Sequence, residues 1–147
     1  MFQGSAEIKM DAKGRISIPT KYRDQLRSVC EGHIVITASV QAPCLSIYPV
    51  REWQEQVLPQ VQSLPTVNSH AARARRLVIG YAEDFQIDDA ARVQLSVPHR
   101  KYGKFEKDIM VVGQGSKLEL WDAEAWFACL DDVGNDQLPE AMLSLNI

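Results

Sequence analysis

No apolar run in this 147-residue chain approaches the roughly 20 residues that a helical membrane span needs. A membrane partner is therefore not expected. The opening residues, Met-Phe-Gln-Gly-Ser, hold no basic segment leading into an apolar one, and no signal peptide is expected. Cysteine is scarce. Cys30, Cys44 and Cys129 are odd in number and widely spaced, so reduced thiols in the cytoplasm are expected rather than a disulfide framework. No Cys-x-x-Cys and no His-x₃-His is present, and His33, His70 and His99 lie in unrelated segments, so no structural metal is expected. There is no G-x-S-x-G, no phosphate-cradling glycine loop and no H-E-x-x-H. The sequence thus carries no catalytic residue set, no cofactor motif and no small-molecule substrate motif, and an enzyme is not expected. Lys and Arg are also missing from residues 118–147, which hold seven acidic residues.

What remains is globular: 46% hydrophobic and 24% charged. The net charge of −3 hides an uneven distribution. Between Lys9 and Arg27 stand six basic residues (Lys9, Lys13, Arg15, Lys21, Arg23, Arg27) against two acidic ones, Asp11 and Asp24. A basic N-terminal surface fits a polyanion such as nucleic acid, and equally a merely solvated face.

Alternation over residues 7–19 predicts two short strands joined by a tight turn. Ile16 and Ile18 share one face, and Arg15 and Ser17 the other. Gly14 is the expected positive-φ residue of the turn. Asp11 is placed to accept the turn's backbone N–H groups and to pair with Arg15. Pro19 ends the strand, and Thr20 is the expected N-cap of a helix over 21–27 with Tyr22 and Leu26 inward. Strands are predicted over 34–37 and 44–48, a helix over 50–56 with Trp53 inward, and a connection over 58–68. A helix over 71–79 is expected to be capped by Asn68 or Ser69.

The second half then repeats the order: strand 85–87, turn 88–92, strand 93–95, a helix from Pro98, strands 109–112 and 117–121, and a helix capped by Asp122. Asp11, Arg15, Ile18 and Arg23 recur 77 positions later as Asp88, Arg92, Leu95 and Arg100. Leu45, Ile47 and Trp53 recur at an offset of 73 as Leu118, Leu120 and Trp126. Order, spacing and tryptophan agree, so the chain reads as a tandem repeat. The copies differ where Ala91 replaces Gly14 and Ser96 replaces Pro19. If that turn position needs positive φ, alanine costs about 1 kcal/mol there, or the second turn differs.

Met-Phe-x-Gly at the start, Asp11-x-Lys-Gly-Arg15, Ile18-Pro-Thr-x-Tyr-Arg23, Tyr48-Pro with Trp53, and Leu118-Glu-Leu-Trp-Asp122 together resemble the MraZ family of bacterial regulators. The resemblance extends to about Leu130. It implies an α+β, mainly β fold of two SpoVT-AbrB swapped-hairpin domains, closed into a pseudo-symmetric β-barrel with short peripheral helices. The expected division is 5–52 and 81–124 for the domains, 53–80 for a helical connection and 125–147 for a helix with an acidic tail. The resemblance further implies a cytoplasmic, nucleoid-associated homo-oligomeric ring. It would bind short direct repeats of double-stranded promoter DNA and repress a division and cell-wall gene cluster. On that basis Arg15 contacts DNA, with Lys13 and Lys9 assisting and Arg92 as the second-copy equivalent. Asp11, Gly14 and Asp88 hold the turns. Asp and Arg four apart also suit a local ion pair, and that reading stays open. Arg23 and Arg100 are expected to be structural, and Arg73, Arg75 and Arg76 to join domains or subunits. The alternatives are an antitoxin-type interaction module and a ring without specific DNA binding.

Overall fold

The computed structural model describes residues 1–147. The chain is mixed α/β, mostly sheet with a few short helices. Its first half forms β1 (Ser5–Lys9), β2 (Arg15–Ser17), α1 (Thr20–Cys30), β3 (His33–Ala38) and β4 (Leu45–Pro49). A helical run follows, made of α2 (Val50–Glu52), a π turn (Trp53–Val57) and α3 (Leu58–Gln62), and then α4 (Ser69–Val78). The second half holds β5 (Glu83–Gln86), β6 (Arg92–Gln94), α5 (Val97–Gly103), β7 (Asp108–Gly113), β8 (Leu118–Asp122), α6 (Ala123–Asp131) and α7 (Glu140–Leu143).

The halves interleave. A six-stranded antiparallel sheet runs β1-β7-β8-β4-β3-β5, and β2 pairs with β6 in a separate ribbon. Four of the six ladders join one half to the other: β1·β7, β3·β5, β4·β8 and β2·β6. In β4·β8, Leu45 faces Leu120 and Ile47 faces Leu118. These are the repeat's equivalent positions exchanged, which is the signature of a pseudo-twofold between the copies. The strands β1 and β2 flank one turn, but each pairs with a strand of the other half rather than with its neighbour. The large sheet's ladder is open, with β1 and β5 at its edges. Both edges carry charge (Glu7, Lys9, Glu83, Asp84), a usual guard against strand addition.

The core lies between the sheet, the ribbon and the amphipathic helices. Ile34, Ile36, Leu45, Ile47, Ile109, Val111, Leu118 and Leu120 supply it from the sheet, and Ile16 and Val93 from the ribbon. Tyr22 and Leu26 on α1 are fully buried, as their spacing predicts. Helix α1 starts at Thr20 with Pro19 at the N-cap and no side-chain cap, so Thr20 does not serve as the cap. The equivalent Ser96 caps α5 through a hydrogen bond from the His99 N–H. Asn68 caps α4, and Asp122 caps α6.

The helical run 50–62 overruns its predicted end. Pro59 has no N–H to give to a carbonyl four residues back, and its ring crowds that position. The chain accommodates it with the π turn, in which the Leu58 N–H reaches back to the Trp53 carbonyl. Arg75 then pins α4 to the end of this run through the Val61 and Gln62 carbonyls, each at 3.1 Å. Cys30 and Cys44 are buried thiols and Cys129 is exposed. Burial pushes the Cys44 thiol up to about 12. No helix is long and apolar enough to cross a membrane.

Candidate nucleic-acid interface

The ribbon brings the two repeated motifs together. Arg15 lies opposite Gln94, Ile16 opposite Val93, and Ser17 opposite Arg92. Alternation buries Ile16 and Val93 and leaves Arg15, Ser17, Arg92 and Gln94 exposed on one face. Arg15 and Arg92 are diagonal neighbours, roughly 7–8 Å apart at that register. The turn 11–14 leads into one end of this face and the turn 88–91 into the other.

Each turn is closed by its aspartate. Asp11 Oδ1 accepts the backbone N–H of Lys13 and of Arg15, both at 2.9 Å, and Oδ2 accepts Arg15 Nε at 2.7 Å. The Gly14 N–H returns to the Asp11 carbonyl at 3.0 Å. In the second turn the Ala91 N–H reaches the Asp88 carbonyl at 3.0 Å, and Asp88 Oδ1 accepts the Arg92 N–H at 3.2 Å. The Arg92 guanidinium makes no ion pair with Asp88, so the two arginines are held differently.

Gly14 has φ +82° and Ala91 φ +55°. The second turn therefore keeps the left-handed conformation and carries alanine's cost there, rather than changing shape. A Cβ on Gly14 would stand 2.7 Å from Arg100 Nε, so the guanidinium of the second half lies directly on the first turn. Arg23 reaches the second turn reciprocally, giving a hydrogen bond to the Asp89 carbonyl at 3.1 Å.

Lys13 is exposed at the first turn with an uncommitted ammonium. Lys9 is exposed too, but its Nζ pairs with Asp108 at 2.7 Å across the β1·β7 ladder. This raises the Lys9 pKa and lowers that of Asp108, chiefly through the hydrogen bond between them. Of the two lysines, Lys13 has the freer charge.

The backbone N–H of Arg15, and next its guanidinium, hold the Asp11 carboxyl below the 3.8 of an ordinary aspartate. Its folded pKa is thus lowered. The ionised carboxylate helps the fold above the unfolded value of 3.8, and that help fades as pH falls through the lower folded value. Carboxyl titration followed by NMR is expected to show Asp11 titrating below 3.8; a value at or above it refutes the Asp11–Arg15 clamp.

Three residues on or beneath this surface escape a linear reading. Gln94 stands 77 positions after Ser17, and only the repeat offset marks it. His99 sits at the offset of Tyr22 and does the same work. Tyr22 Oη donates to the Gln3 carbonyl at 2.9 Å, and His99 Nε2 donates to the Tyr81 carbonyl at 2.6 Å. Asp89 stands at the offset of Ala12. The tryptophans lie away from the ribbon: Trp53 is buried with Val35 and Val78, and Trp121 packs on Trp126 at 5.6 Å.

A family model described as "MraZ protein, putative antitoxin-like" matches the chain twice, over residues 1–77 and 78–143. A protein of Saccharophagus degradans named Transcriptional regulator MraZ is 52% identical over 148 residues, covering all of both chains. The chain belongs to the MraZ family. Two further MraZ relatives named as transcriptional regulators come from Alkalilimnicola ehrlichii and Pseudoalteromonas atlantica. The first is 41% identical over the full length of both chains. The second is 43% identical over 93% of this chain and 90% of the other. The boundary between the two MraZ matches falls at the end of α4, so each contributes one turn and one ribbon strand.

Proposed function

We propose that the chain is a sequence-specific DNA-binding transcriptional regulator that applies the exposed face of the β2·β6 ribbon to the major groove of duplex DNA. The observation that carries this reading is the pairing of the two repeats. One antiparallel ribbon sets Arg15 and Arg92 on a single exposed face, with Lys13 at its rim. A two-stranded ribbon is narrow enough for the major groove, and arginine offers guanine O6 and N7 a two-pronged donor. Lysine at the turn neutralises phosphate. Lys9 assists only as far as Asp108 releases it. Asp11 and Asp88, which DNA would repel, shape the turns, and Asp11 also aims Arg15. Names of the relatives point to the same role.

In this reading the units 5–52 and 81–124 are AbrB-like swapped hairpins closing a pseudo-barrel, joined by 53–80 and followed by 125–147. One ribbon offers few cations, so useful affinity comes from several copies acting at once. A homo-oligomeric ring binding direct repeats, in the cytoplasm and on the nucleoid, meets that need. Repression of a division and cell-wall gene cluster is the regulatory output of this proposal.

Selection of bound sequences from a random duplex pool tests it directly. A recurrent short motif is expected, and an unenriched pool overturns the reading. Raising salt from 50 to 200 mM is expected to weaken binding steeply, since each neutralised phosphate adds roughly −0.9 to the log–log slope. Light scattering is expected to give a mass several times 16.5 kDa, and a clean monomer refutes the many-copy argument.

A further inference from the structure

The two turns are alike in backbone but opposite in what surrounds them. At the second turn, Arg27 Nη2 is 3.0 Å from Asp89 Oδ1 and 3.1 Å from the Asp88 carbonyl. Arg23 Nη1 takes the Asp89 carbonyl. Two guanidinium groups are thus spent on one turn, and the Asp89 carboxylate is fully exposed beside them. At the first turn the corresponding residue is Ala12, which has no charge to offer. Arg100, the counterpart of Arg23, lies against Gly14 but makes no side-chain hydrogen bond or ion pair, and its Nε is buried without a partner. A groove of about 420 Å³ opens beside it, lined by Ala12, Lys101, Asp11 and Glu106 among others. Of the two acids there, Asp11 is already committed to Arg15 and the turn's N–H groups.

A guanidinium held in place yet unpaired, next to a turn lysine and the ribbon arginine, is a ready partner for a phosphate oxygen. It packs against the backbone of Gly14, which limits the freedom lost on contact. We infer that Arg100 is the backbone-phosphate clamp of the first turn, and that Asp89 closes the equivalent position of the second turn, so that each chain engages DNA with a fixed polarity. The inference rests on the DNA-binding reading above. It adds a contact that positions the ribbon without reading bases, and a reason why pseudo-symmetric halves would prefer direct rather than inverted repeats.

The test uses the full-length protein and a labelled duplex carrying the motif that the wild type selects. Exchanging the turns' difference leaves the arginines in place. Ala12→Asp places a carboxylate where the proposed phosphate would sit beside Arg100, and is expected to weaken binding about tenfold. It should also flatten the salt slope by about 0.9 for each engaged chain. Asp89→Ala is expected to tighten binding and steepen the slope, while Asp136→Ala, an acid removed in the tail, does neither. Arg100→Gln should match Ala12→Asp, with Arg100→Lys keeping the slope. In all of these the selected motif stays the same. Unchanged affinity and slope in both Ala12→Asp and Arg100→Gln overturn this inference alone, as does an altered motif in Arg100→Gln or an equal gain in Asp136→Ala. A wild type that enriches no sequence overturns it together with the DNA-binding reading.

Discussion

Arg15→Ala is expected to abolish the sequence-specific gel shift while leaving the oligomer and the fold in place. The loss is large because, in the proposed reading, one side chain supplies both specificity and charge. A two-pronged arginine–guanine contact is worth about 1–3 kcal/mol of discrimination, roughly fivefold to 150-fold at one ribbon. In the many-copy reading proposed above, several ribbons of one oligomer act on the same duplex, so the losses multiply. The fold should not notice. The Arg15–Asp11 ion pair is well exposed on both sides, and such pairs contribute little to stability. The melting temperature is therefore expected to move by no more than roughly 2 °C. Arg92→Ala should be milder, since its turn is flanked by Asp89. Wild-type affinity in Arg15→Ala would sink the assignment. A collapsed oligomer would mean instead that Arg15 holds the structure.

Gly14→Val is expected to destabilise the protein and to remove DNA binding with it. Position 14 has φ +82°, where any side chain costs about 1–2 kcal/mol and a β-branched one more. The new Cβ would also stand 2.7 Å from Arg100 Nε and 2.8 Å from its Cζ, so the guanidinium must leave. A total of about 2 kcal/mol or more corresponds to a fall in melting temperature of roughly 5 °C or more for a chain of this size. Ala91→Gly provides the contrast. It relieves a φ of +55° but deletes a buried methyl and frees the unfolded chain, so it should stay within about 1 kcal/mol of neutral. Thermal melts of the pair check both statements. An unaltered melt for Gly14→Val would show that the turn tolerates a different backbone.

Much of this was readable in the residues because local rules suffice for it. Alternation set Ile16 and Ile18 on one face and Arg15 and Ser17 on the other. A glycine between two cations marked the left-handed turn. The offset between Asp11 and Asp88 announced two copies of one unit. Long-range pairing was not readable in the same way. Nothing near β1 says that it will pair with β7 rather than β2, because the choice is made by two hydrophobic faces closing around a common core. The expected single hairpin became a ribbon shared between halves for that reason. The π turn was hidden too, since Pro59 at the edge of a helix reads equally as its end. The contact of Arg100 with Gly14 depends on helix placement in three dimensions. It has no local signal in the sequence beyond the repeat offset that pairs Arg100 with Arg23.

The interleaving also sets a timetable for biosynthesis. Lys9 waits for Asp108, 99 residues further along, and β1 as a whole waits for β7. At a synthesis rate of about 5–20 residues per second, the first strand leaves the ribosome roughly 5–20 seconds before its partner exists. For most of that interval the N-terminal half has its basic turn but no β6 to complete the ribbon and no closed core. A chain that stops before residue 92 therefore lacks β6, and the ribbon that we propose reads DNA cannot yet form.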